Sequence, residues 1–155
     1  MLREQRLKFA LDDCADEYDI CIIDCSPTLK RLSFNAYLAA ADNGMVVIPV
    51  KLDSTVMRGT ALTIGAIESV SDALRIPTPQ WRILRTCVPG LMTNAEATGE
   101  AALDQFFPDK QFDNVIHASS KVCEGSWQRQ PVTTFMPNSR PAMDYEALAE
   151  EVLNG

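Results

Sequence analysis

The sequence predicts an α/β fold, a doubly wound and mostly parallel sheet with helices on both faces. Short continuous apolar runs, such as Ile20–Ile23 and Met45–Val50, alternate with longer segments whose apolar residues recur at helical spacing. Strands that are apolar throughout belong in sheets covered on both sides, and regular strand–helix alternation makes such sheets parallel. With 155 residues, 46% of them hydrophobic, the chain can bury one core.

Taken in order, residues 2–15 place Leu7, Ala10, Leu11 and Cys14 on one face of an amphipathic helix. An apolar strand over 20–24 follows, ending in Asp24. Residues 31–41 are alanine-rich and favour helix. MVVIPV, 45–50, is a second strand; Pro49 either ends it or lies where a backbone donor is dispensable. Over 55–75, Leu62, Ala66, Val70 and Leu74 recur in steps of four and mark a helical face. A strand over Trp81–Val88 leads to a helix over Asn94–Phe107, which Pro108 stops. FDNVI, 112–116, is a short strand before a polar loop containing Trp127. The closing DYEALAEEVL is a helix with Tyr145, Leu148, Ala149 and Val152 on one face. No repeat, low-complexity tract or linker divides the chain.

Fourteen basic against twenty-one acidic residues give a formal charge of −7, which argues against a broad cationic surface for nucleic acid but allows a local patch. No apolar run approaches the roughly 18 residues of a membrane span. The N-terminal segment lacks the apolar stretch of a signal peptide. Five cysteines, without a CxxC pair, fit reduced thiols in a cytoplasm better than a disulfide framework or a zinc ribbon.

Asp24, in DICIIDCSPTL, has two readings on its own: a cap for the turn, or a carboxylate at the carboxyl end of a parallel strand, where α/β proteins bind ligands. The wider run YDICIIDCSPTLKRLSFNAYLAAADNGMVVIPVKLDSTVMRG resembles the central region of the ParA/MinD family of partitioning ATPases. The resemblance rests on Tyr18, Asp19, Asp24, Pro27, Leu29, Asn35, Ala36, Ala41, Asp42, Ile48, Pro49, Val50 and Gly59. It continues at Val115, Ile116, Glu124 and Pro131 and in the terminal helix, in order over nearly the whole chain.

This resemblance implies a P-loop NTPase-like fold in which Asp24 is the Walker B-type carboxylate. It would hold Mg²⁺ through water beside the β- and γ-phosphates of ATP. Residues 25–30, with Pro27, would be the switch that senses the γ-phosphate. The loop at His117 and Ala118, where the family often has Pro-Arg, would help frame the adenine. Lys121 keeps a basic residue of that loop and is the DNA-contact candidate; Arg75, Arg82, Arg85, Arg129 and Arg140 are further phosphate candidates. The resemblance further implies a cytoplasmic homodimer that binds ATP–Mg²⁺ and non-specific DNA, with a centromere-binding ParB-like partner and no membrane.

The glycine-rich phosphate loop is not found. The seven glycines, Gly44, Gly59, Gly65, Gly90, Gly99, Gly125 and Gly155, nowhere form G-x-x-x-x-G-K-[ST]. Residues 1–155 thus read as the C-terminal portion of a ParA-like nucleotide-binding domain, an incomplete fold with an exposed apolar edge at 20–24 and no ATPase activity alone. Two alternatives stand beside this. A MinD-like membrane ATPase would need a basic amphipathic C-terminal helix, whereas DYEALAEEVLNG is acidic. A non-enzymatic interaction protein derived from the fold would account for the missing loop. Among weaker candidates, a Cys25–His117 nucleophile pair and metal binding by Cys21 and Cys25 are disfavoured; Cys21 reads as core packing and Trp127 as a plug at the core edge.

Overall fold

A computed structural model describes residues 3–26 and 31–154. The helices are α1 (Arg6–Asp12), α2 (Arg31–Ala40), α3 (Ser54–Leu74), α4 (Asn94–Phe106), α5 (Ser120–Trp127), α6 (Val132–Phe135) and α7 (Arg140–Asn154). The strands are β1 (Met45–Val50), β2 (Gln80–Val88) and β3 (Ile116–His117), in the order β1-β2-β3. The class is the expected α/β one, a parallel sheet with helices around it.

Two compact units divide the chain: Met1–Val46 with Gly59–Trp81, and Val47–Arg58 with Arg82–Gly155. In the first, α1 packs on α2, and the Leu7 N–H donates to Asn35 Oδ1 at 3.3 Å. Gly44 closes α2 by donating its N–H to the Ala40 carbonyl; a Cβ there would stand 2.7 Å from Ala40 Cα, so only glycine fits. Within the part of α3 in this unit, the buried positions are Thr60, Ile64, Ile67 and Ser71, whereas Leu62 is exposed. The expected stripe (Leu62, Ala66, Val70, Leu74) is therefore not the one most deeply buried. This helix is apolar on several faces, so spacing alone could not choose among them. The Ser71 hydroxyl is tolerated inside because it donates to the Ile67 carbonyl at 2.9 Å.

The expected strand over 20–24 does not form. Residues 20–24 belong to no strand among the described residues, and Ile20 and Ile22 are 56% and 90% exposed. A strand is defined by a neighbour that takes its backbone hydrogen bonds, and none is present here. Cys21 is exposed as well, so it is not the core residue expected.

In the second unit, β2 supplies the buried Ile83 and Leu84, adjacent residues facing opposite sides of the sheet. β1 is half-buried, with Ile48 and Val50 inside and Val47 and Pro49 outside. Pro49 lies within the strand, which is terminal in the described sheet, the place where a strand proline is tolerated. Thr93 begins α4 with a reciprocal cap: its hydroxyl accepts from the Glu96 N–H, and the Glu96 carboxylate accepts from the Thr93 N–H at 2.7 Å. The α4 residue Leu103 is fully buried.

The third strand is shorter and later than FDNVI. Ile83 bridges in parallel to Gln111, the ladder then breaks, and it resumes as Thr86 opposite Ile116 and Val88 opposite His117. Between these contacts, the N–H groups of Asp113 and Asn114 turn to the Glu151 carboxylate of α7, at 2.9 and 3.0 Å. The unmatched β2 residue, Cys87, takes a left-handed φ of 54° at this bulge. The polar loop expected after β3 is instead α5 and α6. Trp127 ends α5 at 88% exposure and plugs no core. Gly125 is needed where α5 turns towards α6: a Cβ there would meet the Gln130 carbonyl at 2.9 Å.

The inward face of α7 is also not the expected apolar one. Tyr145 and Val152 are exposed, while Asp144 and Glu151 point to the backbone of 113–117. Glu151 also accepts from the Asn114 side chain and pairs with Arg82 at 2.6 Å, and the Arg82 guanidinium lies over the Phe112 ring. Burial pushes the Glu151 carboxyl up, but the Asn114 and Asp113 amides, the Asn114 side chain and Arg82 together bring it below its ordinary value. Its contribution to stability is therefore present above the ordinary value of 4.5 and lost as pH falls through the lowered folded value. Glu151→Gln should destabilise the fold at pH 7 by about 1–3 kcal/mol, with the difference from wild type shrinking in acid. Thermal unfolding of both proteins across pH 3–7 checks this; a constant difference at every pH would contradict it.

Candidate functional site

Asp24 is exposed, at the end of the 20–24 segment, with no hydrogen-bond or ion-pair partner among the described residues. A single accessible carboxylate suits Mg²⁺, which keeps most of its waters and takes one or two carboxylates together with substrate phosphates. No group of three His, Cys, Asp or Glu side chains that could cage a metal occurs among the described residues. Cys25, next in sequence, has its thiol pushed up by burial and by the charge of Asp24. A thiol held protonated is a poor nucleophile. Pro27 and the rest of the switch segment, 27–30, lie outside the described residues.

His117 closes β3, and the Ala118 N–H after it donates to the Val88 carbonyl at 2.8 Å. Asp144 Oδ2 accepts from both the backbone N–H and Nδ1 of His117, each at 2.9 Å. Arg140 Nη2 lies 2.7 Å from His117 Nε2. An arginine can only donate, so Nε2 accepts and the ring is the neutral tautomer with its proton on Nδ1. Carboxylate, imidazole and guanidinium thus stand in line, with the cation outermost. Asp144 and Arg140 were not assigned to this loop by the sequence reading. They lie 27 and 23 residues away, and only the packing of α7 against β3 brings them in.

Lys121, the DNA candidate, is paired with Glu124 at 2.7 Å, and Ser120 holds the other Glu124 oxygen. Lys121 and Ser120 together hold the Glu124 carboxyl below its ordinary value. Of the arginine candidates, Arg82 pairs with Glu151, and Arg85 pairs with Glu100 at 3.0 Å while donating to the Phe112 carbonyl. These two brace the fold. Arg75, Arg129 and Arg140 are exposed. Two surface recesses, of about 550 and 340 Å³, are lined by none of Asp24, His117 or Lys121.

A family model described as an AAA domain matches residues 1–77. The chromosome-partitioning ATPase Soj of Thermus thermophilus is 33% identical over 147 residues, 95% of this chain and 57% of that protein. In structure, Cyanothece McdA in complex with ATP superposes with a TM-score of 0.79 at 18% identity, over 94% of this chain and 56% of that one. Cobyrinic acid a,c-diamide synthase from Mycobacterium smegmatis, with bound ADP and magnesium, does so at 0.73 and 21% identity, over 97% and 53%. The chain is similar in sequence to ParA/MinD-type ATPases and shares the fold of those solved structures. It spans about half the length of the curated relatives it matches. No described helix is long and apolar enough to cross a membrane.

The Cys25 environment is directly testable. Asp24→Asn should speed alkylation of Cys25 at pH 7–8, because the neighbouring negative charge no longer disfavours the thiolate. Peptide-resolved mass spectrometry separates Cys25 from the other four thiols; an unchanged rate would mean that Asp24 does not face it.

Proposed function

We propose that this chain is the C-terminal portion of the nucleotide-binding domain of a ParA-like partitioning ATPase. In the intact protein, Asp24 holds magnesium beside the phosphates of ATP, Pro27 lies in the switch, and the loop at His117 and Ala118 borders the base. The protein then dimerises, binds DNA without sequence preference, and is released through a ParB-like partner in the cytoplasm. The observation that carries this is the segment at 20–26. It has the composition of a central strand and ends in a free carboxylate, yet Ile20 and Ile22 stand exposed without a strand beside them. A neighbouring strand leading into a phosphate loop is the element that would cover those side chains and take up those backbone groups. The two named relatives that bind nucleotide, one with ATP and one with ADP and magnesium, support the cofactor.

Magnesium and ATP bring the charge neutralisation and the leaving group. What residues 1–155 contribute is a carboxylate at the end of the 20–24 segment and the loop after β3. Without a lysine and backbone cradle for the triphosphate, the 155-residue polypeptide should show no magnesium-dependent ATPase activity above background. A turnover assay checks this, and activity abolished by Asp24→Ala would contradict the missing-cradle argument.

DNA contact through Lys121 must compete with Glu124. Each phosphate neutralised changes the slope of log affinity against log salt by about −0.9. In the full-length, ATP-bound protein, Lys121→Ala should weaken binding equally on unrelated DNA sequences and make that slope shallower. A salt titration of the two proteins decides; identical affinities and slopes would place the DNA face elsewhere.

A further inference from the structure

Four cationic side chains are paired with carboxylates among the described residues. Lys8 pairs with Asp42, Arg82 with Glu151, Arg85 with Glu100 and Lys121 with Glu124. Arg140 is held differently. Its hydrogen-bond partner is the His117 imidazole, and it forms no ion pair with a carboxylate among the described residues. The balancing charge, Asp144, lies on the far side of the ring and is occupied by the His117 backbone N–H and Nδ1. The array is neutral as a whole but polarised, negative inside and positive outside. His117 is the last residue of β3, and the carboxyl ends of parallel strands are where α/β sheets receive ligands.

The sequence departs from its family here, with Ala118 standing where an arginine often follows the late strand. We infer that Arg140 is a nucleotide-contacting residue that supplies this guanidinium from the start of α7, with His117 and Asp144 as its positioning residues. The inference rests on the nucleotide-binding reading above and adds a residue to it. One nitrogen of Arg140 is anchored on His117, leaving the remaining N–H donors and the planar face for the base or the ribose-phosphate. Because the imidazole accepts without neutralising, the anchor orients the cation and keeps its charge available. A lysine at 140 has no planar fork and would not reproduce this geometry.

The test is titration of a fluorescent ATP analogue, with Mg²⁺, into the full-length protein that carries these residues. Arg140→Ala should weaken binding by about tenfold, in line with loss of one charged hydrogen bond. Arg140→Lys should recover only part of it. His117→Ala should weaken binding less, and should add nothing in the Arg140→Ala background, since it acts through Arg140. Ala118→Arg in the Arg140→Ala background should restore affinity, which a purely structural role for Arg140 could not explain. The thermal midpoint is followed in every variant, and Arg140→Gln replaces Arg140→Ala if the latter does not fold. Unchanged affinity in Arg140→Ala, or a loss that Ala118→Arg leaves unrepaired, overturns the inference while ATP binding by the wild type stands. A wild type that binds no analogue overturns the nucleotide reading and this inference with it.

Discussion

The parallel seam between β2 and residues 110–118 is the constraint on which the second unit depends. It opens with the Ile83 N–H on the Lys110 carbonyl and the Phe112 N–H on the Ile83 carbonyl, and closes with Ala118 on Val88. These bonds place Phe112 and Ile116 in the core and fix His117 at the end of β3. The seam is broken in the middle, and the backbone donors released there turn to other acceptors. Helix α7 supplies them: Glu151 takes the amides of 113 and 114, and Asp144 that of 117. One helix thus completes a sheet it does not belong to.

That solution decides the fate of the charges. A carboxylate turned inward needs a cation or several donors, and Glu151 has both, with Arg82 stacked on Phe112 beneath it. Asp144 has no arginine against it and orients a histidine instead. The same geometric need, met in two ways on one helix face, yields a brace at one end and a polarised, outward-facing cation at the other. The surface pair Lys121–Glu124 is a weaker arrangement of the same kind, worth little to the fold but able to mask a positive charge.

The segment at 20–24, outside any strand, is the counterexample within the first unit. Its residues have strand composition, but composition is not a hydrogen-bond partner. Where β2 finds its partners in 110–118, Ile20–Asp24 finds none among the described residues, and its apolar side chains remain exposed. An apolar run of this kind records the environment for which it was selected, even where that environment is absent.

Much was legible in the sequence for physical reasons. Helices α2, α3 and α4 and strands β1 and β2 follow from local propensity, apolar runs and stop signals, all short-range properties of the chain. The family resemblance was legible in residues 18–59 because the matching residues lie there in order and close together. Tertiary structure alone decided which stripe of α3 and α7 is buried, since both helices offer more than one face. It also decided that 20–24 is no strand, that Trp127 is exposed, and that Arg140 and Asp144 meet His117. Each of these depends on partners distant in the chain, and local sequence carries no record of which distant group will be there.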